Sequence, residues 1–247
     1  MNCCFCDEYS NPDNNQYYNL YGRSHGLKSR IVMETANWYA VPTIGCLTPG
    51  YLLLVCKRHY TCLASLSADL YQEMMGLKSE LESIIARKTG KQCLLFEHGT
   101  HGPEFVGANS VDHIHLHLAP FEKPAWKGIA EKHGIFNSLT FSDFDSLFEF
   151  WKSNAPKSYL VFQDLDKSVN YVADASVFPS QFFRQCLAAL LGGLQWDWRK
   201  EGHIQNLVET YKMLKDGMRK GEPFGEGAHF PSGQSQFQLN YSEVDKS

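Results

Sequence analysis

The sequence predicts an α+β protein in which an antiparallel sheet packs on one long helix. Three short apolar segments bounded by turn residues predict the first strands, at 30–34, 38–41 and 50–56. The hydrophobic period then changes, because apolar side chains recur at helical spacing from Ser67 to Lys88. Ser67 is a candidate N-cap, and Gly90 follows the last periodic residue. These patterns predict a sheet and a single helix of about six turns for the first half of the chain.

The remaining elements are predicted from weaker patterns. Two strands follow the helix, at 92–96 and 111–119, and a glycine-rich loop over 97–110 joins them. Further on, the patterns predict a helix within 141–151, strands at 158–163 and 169–173, and helices at 181–191 and 203–218. We expect four parts: a catalytic domain at 1–122, a connecting segment at 123–156, an α+β extension at 157–218 and a polar tail at 219–247.

The composition is that of an ordinary globular protein. Of the 247 residues, 43% are hydrophobic and 20% are charged, and the formal net charge is −4. This charge gives no general attraction to polyanions, so nucleic acid is not an expected partner, whereas a small anionic ligand is compatible. The most apolar run, Leu52 to Val55, is far too short for a membrane span, and the first residues lack a secretory pattern. We expect a cytoplasmic protein with reduced cysteines and no membrane contact.

Three histidines alternate with apolar residues near the end of the first half, at positions 113, 115 and 117. On a strand they would share one face, with Ile114 and Leu116 on the other. At about 6.6 Å per two residues, the outer two would stand about 13 Å apart, too far to close on one metal ion. A neutral imidazole is a competent nucleophile toward phosphorus. We therefore interpret this face as functional, the alternative being a solvent face that is rich in histidine.

Cys3 and Cys6 have the spacing at which two thiolates can bind one metal ion. Cys4 is a rival ligand, although only Cys3 leaves two residues before Cys6. A redox motif is the alternative interpretation, but it would be expected to open a helix after a strand, and no strand is predicted before residue 3.

The segment from Val111 to Pro120 resembles the His-φ-His-φ-His-φ-φ signature of the histidine-triad superfamily, in which φ is apolar. The resemblance implies a histidine-triad-like fold and a covalent mechanism, in which the middle histidine, here His115, becomes transiently nucleotidylated. It further implies that His117 binds phosphate oxygens and that Ser110 lies beside the leaving group. Asn109 stands where the family often has glutamine, and its amide can still donate a hydrogen bond, from a shorter arm.

The resemblance covers roughly residues 1–122. In zinc-binding members the metal is held by two cysteines, by the histidine that closes the third strand and by the first histidine of the triad. Here these ligands would be Cys3, Cys6, His59 and His113, a closed structural zinc site that leaves His115 to the substrate. Beyond residue 156 the segments 159–161, 179–184 and 196–199 look like the extension of larger histidine-triad-like proteins, including relatives of splicing-associated factors.

Four further residues are candidate substrate ligands. Glu97, His98 and Gly99 open the glycine-rich loop, where backbone amides could approach phosphate. For His98, a role in stabilising the turn is the alternative. Arg184 lies near the start of a predicted helix, where it could face an anion. The alternative is a surface arginine whose stem covers Trp196 or Trp198.

These observations predict a nucleotide hydrolase or nucleotidyltransferase that acts at the α-phosphate through His115. The expected substrates are dinucleoside polyphosphates, nucleoside phosphoramidates or sugar nucleotides, and a homodimer is compatible with the sequence. One alternative is a metallohydrolase with an open His113-x-His115 site, which lacks an evident third ligand. The other is a non-catalytic nucleotide-binding or RNA-processing adaptor, although a pure binder would not need the middle histidine.

Overall fold

The computed structural model describes residues 3–100, 111 and 113–219, the last helix with its side chains to residue 215. Its framework is an eight-stranded sheet in the order β1-β2-β3-β5-β4-β7-β8-β6. The strands are β1 Met33–Glu34, β2 Trp38–Pro42, β3 Leu52–Cys56, β4 Gln92–Thr100, β5 His115–Phe121, β6 Leu139–Phe141, β7 Ser158–Gln163 and β8 Val169–Val172. All of their pairings are antiparallel, which confirms the predicted α+β class.

Six α-helices accompany these strands in the described part of the chain. They are α1 Cys4–Ser10, α2 Ala68–Thr89, α3 Trp126–His133, α4 Phe144–Ser153, α5 Phe182–Leu190 and α6 Ile204–Arg219. The long predicted helix is confirmed as α2: the Ser67 side chain accepts a hydrogen bond from the backbone N–H of Leu70, and Gly90 ends the helix in the left-handed conformation. Among these residues, no helix combines the length and apolarity that a membrane span requires.

The helices cover both faces of the sheet. The apolar faces of α2 and α4 pack on one face, which we call the α2 face, together with Leu52, Leu116 and Leu118. The buried side chains of α1, α3 and α5 pack on the opposite face, which we call the pocket face. Helix α6 joins the two cores, because Leu214 belongs to the first and Leu207 to the second. Each central strand is therefore covered on both sides and reads as a mostly apolar run.

The sheet continues from the first half of the chain into the second. Strand β4 pairs with β5 along one edge and with β7 along the other, in a register that runs from Leu95 opposite Gln163 to Thr100 opposite Ser158. Strand β7 is fully buried. The predicted division of the chain into parts stays a prediction, but the sheet itself crosses the expected boundary at residue 122.

Two predicted boundaries are wrong near the histidines. Strand β4 does not end at Phe96 but extends to Thr100, because β7 supplies hydrogen-bonding partners for the additional residues. Glu97, His98 and Gly99 consequently lie on a strand and not in the predicted loop. Strand β5 begins at His115 and not at Val111. His113 precedes the strand, where the backbone N–H of Ile114 donates instead to the carbonyl of Tyr60 at 2.7 Å.

Candidate active site

His115 and His117 lie side by side on the pocket face. They alternate on β5 with Leu116 and Leu118, which point into the core beneath α2. The two imidazole rings have centroids 4.9 Å apart. His117 also stacks on Phe96 of the neighbouring strand, with ring centroids 4.3 Å apart and an interplanar angle of 13°. The central strands thus fix the directions of both imidazoles before any ligand binds.

Both histidines line a pocket with an empty volume of about 870 Å³. Its walls come from distant parts of the chain: α1 with the segment that follows it, the sheet, and the start of α5. Trp198, beyond α5, completes the lining. Its lining combines apolar and aromatic side chains with a few polar and charged groups, as is typical of a small-molecule site.

The hydrogen bonding of His115 fixes which ring nitrogen is protonated. Its Nδ1 lies 2.6 Å from the carbonyl oxygen of His113. A carbonyl can only accept, so Nδ1 carries the hydrogen and Nε2 keeps a lone pair. Burial lowers the pKa of His115 below its usual value, and the positive charges of Arg184 and Arg30 lower it further. The ring is therefore neutral near pH 7, the form that can act as a nucleophile.

His117 is oriented by a buried tyrosine. The hydroxyl of Tyr51 lies 2.7 Å from His117 Nδ1, and the guanidinium of Arg184 lies 5.7 Å from the centroid of the Tyr51 ring. Burial lowers the pKa of His117 well below its usual value, so its imidazole is neutral. If the Tyr51 hydroxyl donates to Nδ1, Nε2 of His117 carries a hydrogen and becomes a donor suited to a phosphate oxygen.

His113 does not share the site of the other two histidines. It joins Cys3, Cys6 and His59 in a cluster whose four potential ligand atoms all lie within 4.8 Å of one another. Its Nδ1 is 3.2 Å from Cys3 Sγ and 3.6 Å from Cys6 Sγ, and His59 Nδ1 is 3.5 Å from Cys6 Sγ. The structure therefore brings together the four residues that the sequence resemblance singled out.

The chemistry of this cluster fits a zinc ion. With Zn–S bonds of about 2.3 Å and Zn–N bonds of about 2.05 Å, a tetrahedral site separates sulfur from nitrogen by about 3.6 Å, close to the observed separations. His113 Nε2 lies 2.7 Å from the carbonyl oxygen of Cys56 and must donate to it. Nδ1 of His113 therefore keeps its lone pair and faces the sulfurs. The Cys56 carbonyl has the place of the outer-shell acceptor that orients a metal-bound histidine.

Cys4 lies outside the cluster although it is adjacent to Cys3. Residues 4–10 form α1, which directs the Cys4 side chain toward the pocket while Cys3 and Cys6 face His113. Between them, Phe5 places its ring centroid 5.6 Å from that of His113 and 5.3 Å from that of His115. One side chain of α1 therefore contacts both the cysteine–histidine cluster and the pocket.

Arg184 lines the pocket but is not the surface residue of the alternative interpretation. It is 4% exposed, and its guanidinium donates to the carbonyl of Gly45 at 2.7 Å and to that of Trp196 at 3.1 and 3.2 Å. These bonds tie the start of α5 to the turn between β2 and β3. Arg184 forms no ion pair within the described part of the chain. The pocket wall thus contains a buried positive charge held by neutral acceptors.

Glu97 and Gly99, which were expected to bind the substrate, do not line the pocket, because both lie on the α2 face. The Glu97 carboxylate accepts a 2.6 Å hydrogen bond from the Tyr159 hydroxyl and one of 3.1 Å from the backbone N–H of Leu63. Gly99 lies against the Tyr159 ring, so closely that a Cβ at this position would clash with it. The intervening residue, His98, does line the pocket, and its place on β4 excludes the turn-stabilising role.

Several residues of the pocket were not found from the sequence, among them Arg30 and Glu8. Arg30 forms a buried bidentate ion pair with Glu8 of α1, with N–O distances of 2.7 Å. Its guanidinium also packs 5.3 Å from the ring centroid of Tyr17. Arg30 precedes an apolar segment and Glu8 follows the cysteine motif, but neither pattern indicates that they meet. The other two candidates, Asn109 and Ser110, lie outside the described residues.

Comparisons with known proteins give a partial match. Residues 14–128 match the family model described as "Scavenger mRNA decapping enzyme C-term binding". A solved structure of a HIT family member from Bacillus subtilis is 20% identical, covering 63% of this chain and 96% of that chain with a TM-score of 0.38. A HIT family protein from Bacillus anthracis is 19% identical, covering 62% and 95% with a TM-score of 0.38. A Zn-bound histidine triad family protein from Mycobacterium smegmatis is 20% identical, covering 50% and 77% with a TM-score of 0.35. No curated protein matches.

Glu97 makes stability depend on pH. Burial raises the pKa of its carboxyl from 4.5 to about 8, so the folded state binds a proton that the unfolded state releases above pH 4.5. The stability that protonated Glu97 contributes is complete below pH 4.5 and is lost as the pH rises through about 8, by on the order of 5 kcal/mol in total. Glu97→Gln, which imitates the protonated acid, should remove this loss.

Urea unfolding of wild type and Glu97→Gln at pH 5 and pH 9 measures the effect. The variant should gain stability relative to wild type at pH 9. Glu131→Gln, at an exposed site, should follow wild type at both values. A constant difference between wild type and Glu97→Gln across this range would contradict the assigned pKa.

Arg184→Ala should destabilise the fold, because it leaves the buried carbonyl of Gly45 and the half-buried carbonyl of Trp196 without this donor. We expect a loss of roughly 2–4 kcal/mol in the free energy of unfolding. Arg184→Lys keeps the charge without the planar fork and should lose less. Arg199→Ala is the matched control, since Arg199 is half exposed and pairs with Asp197 at the surface. Equal effects for Arg184→Ala and Arg199→Ala in urea would refute the bracing role.

Proposed function

We propose that the chain is a member of the histidine-triad superfamily, which its triad segment and the family model over residues 14–128 support, and that it cleaves or transfers nucleotides at the α-phosphate with His115 as the nucleophile. The observation that carries the proposal is the 2.6 Å contact between His115 Nδ1 and the carbonyl oxygen of His113. This contact holds a neutral imidazole with an unprotonated Nε2 on a ring that lines the pocket. A nucleophile needs both that protonation state and that direction.

In the first step, Nε2 of His115 attacks the α-phosphorus in line with the leaving group. A P–N bond forms and the bond from phosphorus to the leaving group breaks, which yields a nucleotidyl-histidine. The imidazole carries a positive charge in this intermediate, and the carbonyl of His113 stabilises it by accepting from Nδ1. The leaving group takes up a proton, for which Ser110 is the proposed donor.

In the second step, water or another acceptor attacks the same phosphorus. The new P–O bond forms, the P–N bond breaks, and the electron pair returns to Nε2 of His115. Breaking the P–N bond restores the neutral imidazole, and the proton that leaves the attacking group returns to Ser110, the proposed donor of the first step. Double displacement of this kind separates one difficult transfer into two easier ones.

The charges around the pocket support an anionic substrate. The Arg30 charge is balanced by Glu8, whereas the buried Arg184 forms no ion pair with a described residue. An unbalanced buried charge is unfavourable unless a counterion completes it, and a phosphate could serve as that counterion. We assign His117 and Asn109 as donors to phosphate oxygens, with His98 and Arg184 as further groups of the substrate site.

Zinc has a structural role in this proposal. Held by Cys3, Cys6, His59 and His113, it would add folding free energy and fix α1, with Phe5, against the pocket. The four protein ligands leave no open position for a substrate. His113 is thereby committed to the cluster, which disfavours the alternative of an open His113-x-His115 metallohydrolase.

The proposed substrates are dinucleoside polyphosphates, nucleoside phosphoramidates and sugar nucleotides. The matching family model takes its description from mRNA decapping, so a cap-like dinucleoside polyphosphate is the first member of the class to test. A cytoplasmic location and a homodimer stay predictions that no described contact tests.

His115→Asn should abolish turnover, because it removes the nucleophile and leaves the apolar face of β5 intact. We expect a loss of at least about 100-fold in kcat, with unfolding by urea and nucleotide affinity nearly unchanged. Intact-mass analysis of wild type, quenched during turnover of a cap dinucleotide or diadenosine polyphosphate under alkaline denaturing conditions, should detect a nucleotidyl adduct. The variant should give none.

His25→Asn is the matched control, because His25 is exposed at a distance along the chain from the triad, and it should behave as wild type. Retention of more than about a tenth of wild-type activity by His115→Asn, a barrier change below about 1.4 kcal/mol, would reject the nucleophile. Nucleotide binding without turnover or adduct in wild type would favour the adaptor function.

Elemental analysis should find one zinc ion per chain. The double substitution of Cys3 and Cys6 by serine should remove the metal and lower Tm by several degrees, because a closed site stabilises the folded state. Cys4→Ser should keep the full zinc content, since Cys4 lies outside the cluster. The folded fraction of the double variant should lose much less activity than His115→Asn. Immediate loss of activity on chelation, with the fold unchanged, would instead make the metal catalytic.

A further inference from the structure

Two side chains of the pocket lining have buried polar atoms without a hydrogen-bond partner in the described part of the chain. They are the hydroxyl of Tyr17 and the side-chain oxygen, Oε1, of Gln181. Tyr17 is 2% exposed. Leaving such an atom unsatisfied typically costs about 1–3 kcal/mol, so a pocket that contains two of them is suited to a ligand that completes both.

The orientation of the Gln181 amide is fixed by its other end. Its nitrogen, Nε2, points at the Asp197 carboxylate, with 3.4 Å to Oδ1, and a carboxylate can only accept. Because the amide nitrogen must take that side, Oε1 remains as an acceptor. Gln181 also has a φ of 60° immediately before α5, a left-handed conformation that is unfavourable for residues other than glycine. The acceptor is therefore held in place by its backbone, its partner Asp197 and the helix that follows.

Tyr17 is held by a different set of contacts. Its ring packs on the guanidinium of Arg30, 5.3 Å from the ring centroid, and Arg30 is locked by its ion pair with Glu8. The hydroxyl can either donate or accept. One group thus comes from the segment after α1 and the other from the start of α5, at a distance along the chain from the histidines of β5.

Phosphate cannot satisfy Gln181, because Oε1 requires a donor and phosphate oxygens at neutral pH accept. Resting on the proposed function, we propose that Tyr17 and Gln181 form a nucleoside subsite, in which Gln181 Oε1 accepts a hydrogen bond from an N–H or O–H of the nucleoside and the Tyr17 hydroxyl makes a second bond. The aromatic side chains Phe182, Phe183 and Trp198 in the same lining provide apolar surface for a base.

The test uses the full chain and binding alone. Calorimetry measures the affinity of AMP, GMP, CMP, UMP and ribose 5-phosphate for wild type, Tyr17→Phe and Gln181→Met. Loss of one such hydrogen bond should weaken the best-binding nucleotide about ten-fold. Gln185→Met is the control for Gln181, because Gln185 lies on the same helix and bonds to the backbone of Ser180; it should bind as wild type does.

Urea unfolding separates this role from a structural one. Tyr17→Phe should leave stability unchanged or raise it, because it removes an unsatisfied buried hydroxyl. Tyr71→Phe should lower stability without changing affinity, since the Tyr71 hydroxyl donates to Asp145 at 2.8 Å on the opposite face of the sheet. If Tyr17→Phe is less stable than wild type, the Tyr17 hydroxyl has a hydrogen-bond partner in the ligand-free protein. That result would overturn the role of Tyr17 in the subsite.

The pattern across ligands identifies the group that is bound. If the substitutions weaken the binding of nucleotides but not of ribose 5-phosphate, the base supplies the hydrogen-bond donor. If they weaken the binding of both equally, a sugar hydroxyl supplies it. Unchanged affinities in both variants overturn the subsite, even if wild type forms the nucleotidyl adduct. If the two variants bind nucleotides more weakly than wild type does, but wild type forms no adduct, the subsite is retained and His115 is rejected as the nucleophile. Absence of nucleotide binding by wild type would overturn the subsite as well.

Discussion

The antiparallel pairing of β5 between β3 and β4 is the constraint on which the site depends. Leu53 and Phe96 lie opposite His117, and Val55 lies opposite His115. This register fixes the alternation of β5, so that the leucines enter the core beneath α2 while the two histidines face the pocket. A shift of one residue would exchange the two faces and bury the imidazoles among the apolar side chains of α2. The burial that holds the strand in register also keeps the imidazoles neutral.

Helix α1 contributes side chains both to the cysteine–histidine cluster and to the pocket. Cys3 and Cys6 face His59 and His113, whereas Phe5 and Glu8 contribute to the pocket. A seven-residue helix has little stability by itself, so its position depends on these tertiary contacts. The cysteine–histidine cluster at one end and the Glu8–Arg30 pair along its length therefore position one wall of the pocket together.

The second half of the chain is integrated with the first through both backbone and side chains. Strand β7 extends the sheet beside β4, and the Tyr159 hydroxyl on β7 bonds to Glu97 on β4. On the pocket face, Arg184 bonds to Gly45 in the turn between β2 and β3. These contacts bring Gln181 and Trp198 into a pocket whose histidines come from the first half. The second half of the chain thus supplies part of the pocket lining.

The sequence by itself determined the α+β class, the helix α2 with its two caps, and the shared face of His115 and His117, because helical period, capping residues and histidine spacing are local properties. The four residues of the cysteine–histidine cluster were named from the family resemblance, and the structure brings them together. Only the tertiary structure decided that β4 continues past Phe96, because β7, which pairs with that extension, lies more than fifty residues farther along the chain. The tertiary structure also decided that Glu97 points away from the pocket and that Arg184 is buried. It placed Tyr17 and Gln181 in the lining of the same pocket. Pairings between distant segments leave no periodic trace in either segment, since each depends on what the other presents after folding.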